Sequence, residues 1–320
     1  MRNIYCIGET VLDIIFKDSQ VVTARPGGSM LNSAVSLGRC GIPVNFISDF
    51  GHDGAGDLID RFLTENGVGT RFVDRYREGK TAVSLAFLDQ DNNADFTFFR
   101  LFPKSRMNFL LPHITTGDIV LFGSFFALDK KVRSKVVRFI RKARNSGALV
   151  IYDPNFRKPH IKDLPTLRPW IVENISLADI VRGSDEDFLY IFAVKKGEEA
   201  FSIVREAGCM NLVYTRNRKG IEVFCGKYTE TFKVPSIKPE STIGAGDAFN
   251  AGLISGLLTL GDEGTLLEQG RWKVNPSCWK PLIGRAIAFA IDVCLTFDNS
   301  VTDEFATRLK NDQMAFSTNS

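Results

Sequence analysis

Residues 241–252 read Ser-Thr-Ile-Gly-Ala-Gly-Asp-Ala-Phe-Asn-Ala-Gly, a turn of small residues that runs directly into a helix. Gly244, Ala245 and Gly246 have no bulk that would keep an anion from the backbone. The first N–H groups of a helix have no partner within the helix, and together with the helix dipole they form an anion site. Asp247 lies in the same first turn. It either accepts a proton from a hydroxyl there or caps the helix, and the spacing alone does not decide between the two.

The order of strands and helices predicts the fold class. Short β-branched runs alternate with helical stretches, which is the βαβ arrangement of a parallel sheet. The sequence contains no G-x-x-x-x-G-K-S/T loop and no G-x-G-x-x-G turn, which argues against a P-loop NTPase and a Rossmann dehydrogenase. The predicted strands of this series are residues 4–7, 44–49, 119–122, 149–152, 180–182, 212–214 and 221–224. The predicted helices are residues 30–39, 53–66, 130–146, 186–192, 248–260 and 282–295.

Composition excludes several classes of protein. The chain has 320 residues, of which 44% are hydrophobic and 24% charged, so disorder as the overall state is excluded. The net charge of +3 is too small to indicate a nucleic-acid surface, and no apolar run reaches the ~18 residues of a membrane helix. The six cysteines form no C-x-x-C pair and the three histidines no H-E-x-x-H motif. We therefore expect reduced thiols, a cytoplasmic protein, and neither a nucleic-acid nor a membrane partner.

Two stretches interrupt the βαβ series. Residues 82–88 and 96–101 are β-rich, and residues 89–93 join them without a helix, which predicts a hairpin. Residues 11–16 and 21–24 predict a second hairpin. The two hairpins together would form a small sheet that covers a site. The predicted division is a core of residues 1–10, 26–71 and 103–320 and a lid of residues 11–25 and 72–102. The chain after residue 300 becomes polar, and we expect its end to be disordered.

Two further motifs combine turn residues with polar side chains. Gly27 and Gly28 precede a predicted helix whose first turn holds Asn32, an arrangement suited to a polyol ligand or simply to a capped turn. Asn155 and Arg157 follow another predicted strand. Ligands of open α/β sheets bind beyond the carboxyl ends of strands, but an arginine there also pairs with local carboxylates. From the residues alone, both readings stay open for both motifs.

Taken together, these motifs resemble the ribokinase, or PfkB-type, carbohydrate kinases over nearly the whole chain. The N-terminal match consists of residues 27–34 with residues 51–56, and the C-terminal match of residues 242–249. Gly8-Glu9 with Asp13, residues 98–100 and residues 153–157 look most like the fructokinase branch, and 2-keto-3-deoxygluconate kinases share several of these features. The resemblance implies a ribokinase-like fold, which is a doubly wound, mainly parallel α/β sheet flanked by helices, with a small β-sheet lid.

The resemblance also implies roles for individual residues. Asp247 becomes the catalytic base, and the amides of Gly244, Ala245, Gly246 and Asp247 become the anion hole. The sugar would contact Asp13, Gly27, Gly28, Asn32, Arg100, Asn155 and Arg157. The nucleotide would contact Ser184, Thr215, Gly220, Gly244 and Gly246. Asp187 would approach Mg²⁺ through water.

The sequence departs from the pattern of the family in three motifs. Ser241 stands where an acidic residue usually helps to build a monovalent-cation site, so we expect weak activation by potassium or none. Residues 184–187 read Ser-x-x-Asp in place of Asn-x-x-Glu, which shortens the arm that would approach Mg²⁺. Asn217 replaces the glycine of a nucleotide-side Thr-x-Gly.

The function that this resemblance implies is ATP-dependent phosphorylation of a primary hydroxyl of a free sugar, with Mg²⁺ and with fructose as the best single choice. A kinase of a keto-deoxy sugar acid is the first alternative, since Arg100, Arg106 or Arg157 could bind a carboxylate. A catalytically silent sugar-binding relative and a nucleoside kinase are further alternatives. The expected partners are the sugar, ATP and a second copy of the chain that pairs through the lid.

Overall fold

The structure is a computed structural model that describes residues 2–88, 94–108, 110–262, 267–268 and 271–317. The predicted hairpin turn at residues 89–93 lies outside the described residues. The strands are β1 (Ile4–Ile7), β2 (Val11–Lys17), β3 (Gln20–Gly27), β4 (Val44–Gly51), β5 (Val68–Tyr76), β6 (Lys80–Leu88), β7 (Ala94–Leu101), β8 (Ile119–Gly123), β9 (Leu149–Asp153), β10 (Ile180–Ser184), β11 (Asn211–Thr215), β12 (Ile221–Cys225), β13 (Tyr228–Phe232), β14 (Leu267–Glu268) and β15 (Arg271–Trp272). The α-helices are α1 (Ser29–Arg39), α2 (Gly54–Glu65), α3 (Arg133–Asn145), α4 (Leu164–Leu177), α5 (Asp185–Phe192), α6 (Gly197–Glu206), α7 (Ala245–Asp262), α8 (Trp279–Cys294) and α9 (Asp303–Ser317).

The large sheet has nine described strands in the order β13-β12-β11-β10-β9-β8-β1-β4-β5. The strands from β11 to β5 are all parallel to their neighbours, and β12 and β13 add an antiparallel edge. From the central strand β1 the chain runs outward through β4 and β5, and then returns to build the other half from β8 onward. The predicted doubly wound, mainly parallel sheet is therefore confirmed.

Helices cover both faces of this sheet, and the alternation along each strand explains why. In β1, Ile4 and Cys6 belong to the core beneath α1, α2, α7, α8 and α9, while Tyr5 and Ile7 belong to the core beneath α3, α4, α5 and α6. Successive side chains of a strand point to opposite faces, so a strand buried on both sides is apolar throughout. No helix in the described part of the chain is long and apolar enough to cross a membrane.

The small sheet has four described strands in the order β3-β2-β6-β7. Two antiparallel hairpins, β2–β3 and β6–β7, join through a parallel pairing of β2 with β6. The predicted small sheet of two hairpins is thus confirmed. Residues 72–76, however, lie in β5 at the edge of the large sheet and not in the small one, because Phe72 and Val73 pack on its two opposite cores.

Several elements are absent from the sequence prediction. Helix α4 carries Pro165 at its start and Pro169 inside, yet its apolar residues still face the core. Helix α9 lies in the polar tail, of which only the end was expected to be disordered; Phe305 and Ala306 are buried against the core beneath α1 and α8. Residues 318–320 lie outside the described residues. Helix α6 and strands β5 and β13 were also not predicted.

Candidate active site

Helix α7 begins at Ala245, immediately after a tight turn at Gly244. Gly244 has a φ of +83°, and an added Cβ would lie 2.5 Å from the carbonyl oxygen of Asn299. Only glycine fits this left-handed backbone and this close approach. The small residues of the motif therefore let the chain turn against the segment that follows α8. The turn leaves the amides of the first turn of α7 at the edge of a cavity.

That cavity has a volume of about 530 Å³ and lies beyond the carboxyl ends of β10 and β11. Its polar side includes Arg182, Ser184, Thr215 and Gly246. Its apolar lining is formed by Ile221, Val234, Phe249, Ile287, Ala290 and Ile291. Three of the predicted nucleotide-side residues, Ser184, Thr215 and Gly246, thus share one cavity. Gly220 does not line it and lies in the turn before β12, whereas Asn217 does line it.

Asp247 connects this cavity with the N-terminal glycine motif. Its carboxylate is buried, with 7% of the residue exposed. The hydroxyl of Ser29 donates to Oδ1 at 2.6 Å, and Nδ2 of Asn32 donates to Oδ2 at 2.8 Å. Both donors lie in the first turn of α1, whose N-cap residue is Gly28. The hydrogen bonds of Asp247 therefore run across to another helix, which a simple cap of α7 does not require.

The environment of Asp247 sets its protonation. Burial raises the pKa of Asp247 to about 6, and the hydrogen bonds from Ser29 and Asn32 hold the rise in check. The positive charge of Arg157 lowers this pKa and the negative charge of Asp153 raises it. A carboxylate with a pKa just below neutrality is ionised at pH 7 and is still basic enough to accept a proton from a hydroxyl.

Asp13 and Gly27 lie in the β2–β3 hairpin, whose second strand leads directly into α1. An added Cβ at Gly27 would lie 2.1 Å from Oδ2 of Asp13, so the two residues are in direct contact. The hydroxyl of Ser84 donates to Oδ1 of Asp13, and burial raises the pKa of this carboxyl. The predicted acceptor-side residues Asp13, Gly27, Gly28 and Asn32 are thereby brought together.

Arg100 and Arg157 are both exposed and lie in different parts of the fold. Arg100 lies on β7, and its guanidinium carbon is 4.6 Å from the ring centre of Phe98. Burial raises the pKa of Glu9 and lowers that of His160, and the charge of Arg100 acts to lower both pKa values. The charge of Arg157 opposes the rise that burial causes in the pKa of Asp247. Asn155 has a φ of +36°, and its backbone N–H donates to Oδ1 of Asp153 at 2.9 Å. The structure therefore gives Asn155 a turn-forming contact.

Glu9 occupies the point where the order of the large sheet reverses, between β1 and β8. It is half-buried, accepts hydrogen bonds from the hydroxyl of Ser124 and the backbone N–H of Phe126, and has a pKa that burial raises. Ligands of doubly wound sheets bind at such a reversal. Both oxygens of Glu9 are engaged by the protein, so Glu9 joins the ends of two neighbouring strands.

A buried polar network beneath the cavity was not predicted from the sequence. Nη1 of Arg182 donates to Oδ2 of Asp153 at 3.0 Å, and Nη2 donates to Oγ1 of Thr215 at 3.1 Å. Nδ2 of Asn250 also donates to Oδ2 of Asp153, at 2.7 Å. The available signal was a single charged residue inside an apolar strand, because Arg182 follows Ile180 and Val181.

Asp187 holds the start of α5. One oxygen accepts from the backbone N–H and hydroxyl of Ser184, the other from the backbone N–H of Phe156, and Ser184 caps the helix in return. Burial and the charge of Asp153 raise the pKa of Asp187. Hydrogen bonds to the protein thus occupy the atoms that were expected to approach a metal-bound water.

The residues present fit Mg²⁺ only as an ion that arrives with a ligand. The described residues contain no group of three or more histidine, cysteine, aspartate or glutamate side chains that could hold a metal ion. Asp185 and Glu186, in contrast, line the cavity next to Ser184. Mg²⁺ in phosphate-transfer sites is commonly bound by one or two carboxylates together with phosphate oxygens.

Comparisons with known proteins agree with this arrangement. A family model described as pfkB family carbohydrate kinase matches residues 1–271. Fructokinase of Vibrio alginolyticus is 24% identical over 280 residues, which cover 86% of this chain and 88% of that protein. Aminoimidazole riboside kinase from Salmonella enterica, complexed with aminoimidazole riboside and an ATP analogue, superposes with a TM-score of 0.80 at 21% identity, covering 97% of this chain and 99% of that one. A fructokinase double mutant from Vibrio cholerae O395, in its fructose-, ADP- and potassium-bound form, also gives 0.80, at 23% identity and with 93% and 94% covered.

Proposed function

The chain belongs to the pfkB family of carbohydrate kinases and is a sugar kinase, and we propose that it transfers the γ-phosphoryl group of ATP to a primary hydroxyl of free fructose. The observation that carries this proposal is the position of Asp247. It lies in the first turn of α7, where the cavity ends, and its carboxylate contacts the α1 motif that leads to Asp13. A base placed between a phosphate cavity and a polyol pocket is what transfer to a hydroxyl requires.

In the proposed reaction Asp247 accepts the proton of the attacking hydroxyl. The amides at the start of α7 hold the phosphoryl group, because they carry the positive end of the helix dipole. Ser29 and Asn32 fix the carboxylate so that it needs no reorientation when the hydroxyl arrives. The sugar lies among Asp13, Gly27 and Asn32, with Arg157 at its outer side.

The cavity supplies both parts of a nucleotide site. Its apolar side, which includes Ile221 and Ile287, is suited to the flat base of ATP, and its polar side to the phosphates. Asp185 and Glu186 are the carboxylates that would face Mg²⁺ bound to those phosphates. When bound, Mg²⁺ neutralises charge that develops on the phosphate oxygens.

We further propose that the small sheet serves as the lid of this site. Its pairing register places Asp13, Arg25, Ser84 and Phe98 on one face, and strand alternation adds Arg100 to that face. The face that carries Asp13 is thus rich in polar groups and turns towards the sugar. A lid over the sugar excludes water, which limits wasteful hydrolysis of ATP.

The sugar-acid kinase is the second candidate, because two exposed arginines stand at the acceptor side. Arg106 does not contribute a third cation there: it is buried and bound to Asp49 and Asp129. A catalytically silent relative is disfavoured, since Asp247 and both of its hydrogen-bond donors are present. The Salmonella structure adds aminoimidazole riboside as an acceptor to be tested.

A coupled assay of ADP release with a panel of acceptors tests the proposal. The panel contains fructose, glucose, ribose, 2-keto-3-deoxygluconate and aminoimidazole riboside. We expect the highest kcat/KM with fructose and a product that carries phosphate on a primary carbon. A higher kcat/KM for the sugar acid or the riboside would replace fructose as the substrate. Absence of turnover with every acceptor, despite ATP binding, would favour the silent relative.

The location and assembly of the enzyme are also proposals. The six cysteines are free thiols, which suits the reducing cytoplasm. On the lid face opposite Asp13, Phe87, Phe99 and Leu101 are 45%, 56% and 62% exposed. A second copy of the chain, bringing the same apolar face, is the occupant that we propose for this surface.

A further inference from the structure

Arg182 is a charged residue buried inside the large sheet. It lies in β10, where Ile180 and Val181 precede it, and only 9% of the residue is exposed. Taking a guanidinium out of water is costly unless its donors are paired. We therefore expect the N–H donors of Arg182 to form hydrogen bonds with neighbouring residues, and any donor that does not to be available to a ligand.

The partners found in the structure account for part of the guanidinium. Nη1 donates to Asp153 and Nη2 to Thr215, while the buried Nε has no hydrogen-bond partner among the described residues. An arginine has five N–H donors, and these two bonds leave others available. Asp153 is in turn shared with Asn250, so the carboxylate does not depend on Arg182 alone.

The same guanidinium faces the start of α7. An added Cβ on Gly246 would lie 2.9 Å from Nη1 and 3.1 Å from Nη2 of Arg182. Arg182, Ala245 and Gly246 line one cavity. The absence of a side chain at Gly246 therefore leaves room for the planar donor group next to the first amides of the helix.

We propose that Arg182 binds the phosphoryl groups held at the start of α7, so that ATP is gripped by the helix amides on one side and by a guanidinium on the other. This inference rests on the proposed function. Asp153 and Thr215 hold the guanidinium in place before the nucleotide arrives. Arginine suits this task because its planar donors match phosphate oxygens, and its charge offsets that of the nearby Asp153 and Asp247.

A ladder of ligands with increasing numbers of phosphates tests the proposal without any need for turnover. Calorimetry measures the Kd of adenosine, AMP, ADP and ATP for the wild-type protein and for Arg182→Gln. We expect adenosine to bind both proteins within about twofold, and ATP to bind the variant roughly ten- to a hundredfold more weakly, which is typical for loss of charged hydrogen bonds. The loss should grow with the number of phosphates.

Arg133→Gln is the matched control. Arg133 is as buried as Arg182, at 7% exposed, and is bound to Asn174 and Glu173 away from the cavity. The Arg133→Gln variant loses a buried, paired arginine but no proposed phosphate contact. We therefore expect its Kd values for adenosine, AMP, ADP and ATP to equal those of the wild-type protein. An unchanged ladder for Arg182→Gln, or an equal loss for all four ligands, would overturn the proposal and leave Arg182 as a structural partner of Asp153.

Arg182→Lys keeps the test informative if the glutamine variant does not fold. Lysine retains the charge that pairs with Asp153 but cannot form the planar fork. We expect this variant to fold, to weaken ATP more than adenosine, and to lower kcat. An unchanged ladder together with an unchanged kcat overturns the proposal. If the wild-type protein binds no ATP, the proposed function fails together with this inference. If it binds ATP and phosphorylates a sugar, but the Arg182 variants bind all four ligands as the wild-type protein does, this inference alone fails.

Discussion

Asp247 carries its negative charge where charge is costly. Burial raises its pKa from 3.8 to about 6, which corresponds to about 3 kcal/mol of unfavourable folding free energy for the ionised form. The two hydrogen bonds from α1 offset burial only in part. Strongly shifted carboxylates are concentrated at functional sites, in agreement with the proposed role of Asp247 as the base.

Because burying the ionised carboxylate of Asp247 lowers the stability of the folded protein, we predict that Asp247→Asn changes this stability in a pH-dependent way. Because the folded pKa is higher than the unfolded one, the folded state binds the proton more tightly. The stability that this carboxyl contributes is full below pH ~4 and is lost as the pH rises through about 6. We expect Asp247→Asn to have a higher Tm than the wild-type protein at pH 8 and no gain at pH 4.

Thermal unfolding at both pH values checks this, with Asp312→Asn on the exposed face of α9 as the control. The gain at pH 8 should not exceed about 3 kcal/mol, since the asparagine still has to share hydrogen bonds with Asn32. An equal loss of stability at both pH values would show that the hydrogen bonds outweigh the cost of burial.

Arg157 should act on the sugar. It is exposed, and its charge opposes the rise that burial causes in the pKa of Asp247, so it lies within electrostatic reach of that carboxylate. We expect Arg157→Ala to raise KM for the sugar roughly ten- to a hundredfold, as for the loss of one charge-assisted hydrogen bond, with little change in KM for ATP. Lys158→Ala, at the neighbouring exposed position, is the control. Equal changes in both KM values would remove Arg157 from the sugar site.

At the scale of single residues, the sequence predicts which residues belong to the candidate site but not which contacts they make. Asp247 and Asn32 could be named from their motifs, but they are 215 positions apart, and only the folded chain brings them within 2.8 Å. Asp187 shows the opposite limit. Its spacing from Ser184 fits a metal-directed arm and a capping box equally well, and the structure forms the capping box.

At the scale of elements, the turn before α7 was predictable because its glycines allow the positive φ and the close backbone approach that such a turn requires. Helix α4 was not predictable: Pro165 suits its first turn, but a proline inside a helix, such as Pro169, usually ends it, and yet Leu167, Ile171 and Ile175 bury an apolar face. Local propensity was overridden there by tertiary packing, which short-range patterns do not contain.

The turn before α7 also bears on cation dependence. It packs against the segment after α8, where the N–H of Glu240 donates to the carbonyl of Cys294 at 2.9 Å. The hydroxyl of Ser241 accepts from the N–H of Ile243 at 3.1 Å, within its own turn. Ser241 supplies no carboxylate at the position where an anionic ligand would strengthen cation binding.

We therefore expect kcat to change by no more than about twofold when K⁺ replaces Na⁺ or a bulky ammonium ion at constant ionic strength. Ser241→Asp supplies the missing charge and should gain activation by K⁺. A many-fold activation of the wild-type enzyme by K⁺ would show that other ligands already complete the cation loop.

At the scale of the whole molecule, the two sheets contribute different parts. The large sheet forms the cavity at the carboxyl ends of its strands, and the small sheet carries Asp13 and Arg100 on one of its faces. The sequence predicts this architecture because strands that alternate with helices indicate a parallel sheet, whereas two strands joined without a helix indicate a hairpin. The prediction assigned residues 72–76 to the small sheet because β5, an edge strand of the large sheet, is followed almost directly by β6 of the small sheet.

The apolar face of the small sheet predicts the assembly of the enzyme. Phe16 and Phe87 stack on this face with ring centres 5.0 Å apart, and Phe99 remains 56% exposed. We expect a dimer in solution that Phe99→Asp converts to a monomer, as measured by light scattering after gel filtration. Leu110→Asp, at a position that is 92% exposed outside the small sheet, should remain dimeric. A wild-type monomer, or a Phe99→Asp dimer, would contradict pairing through this face.

The most direct test of the account is the turnover of Asp247→Asn with the best acceptor of the panel, measured together with the Kd values for that sugar and for ATP. If Asp247 accepts the proton of the attacking hydroxyl, kcat falls by ~10²–10⁴-fold, as is typical when a general base is removed. Both Kd values should stay within a few-fold of wild type, because the α7 amides and the cavity remain. A kcat within a few-fold of the wild-type value would contradict the account and reduce Asp247 to a buried link between α7 and α1.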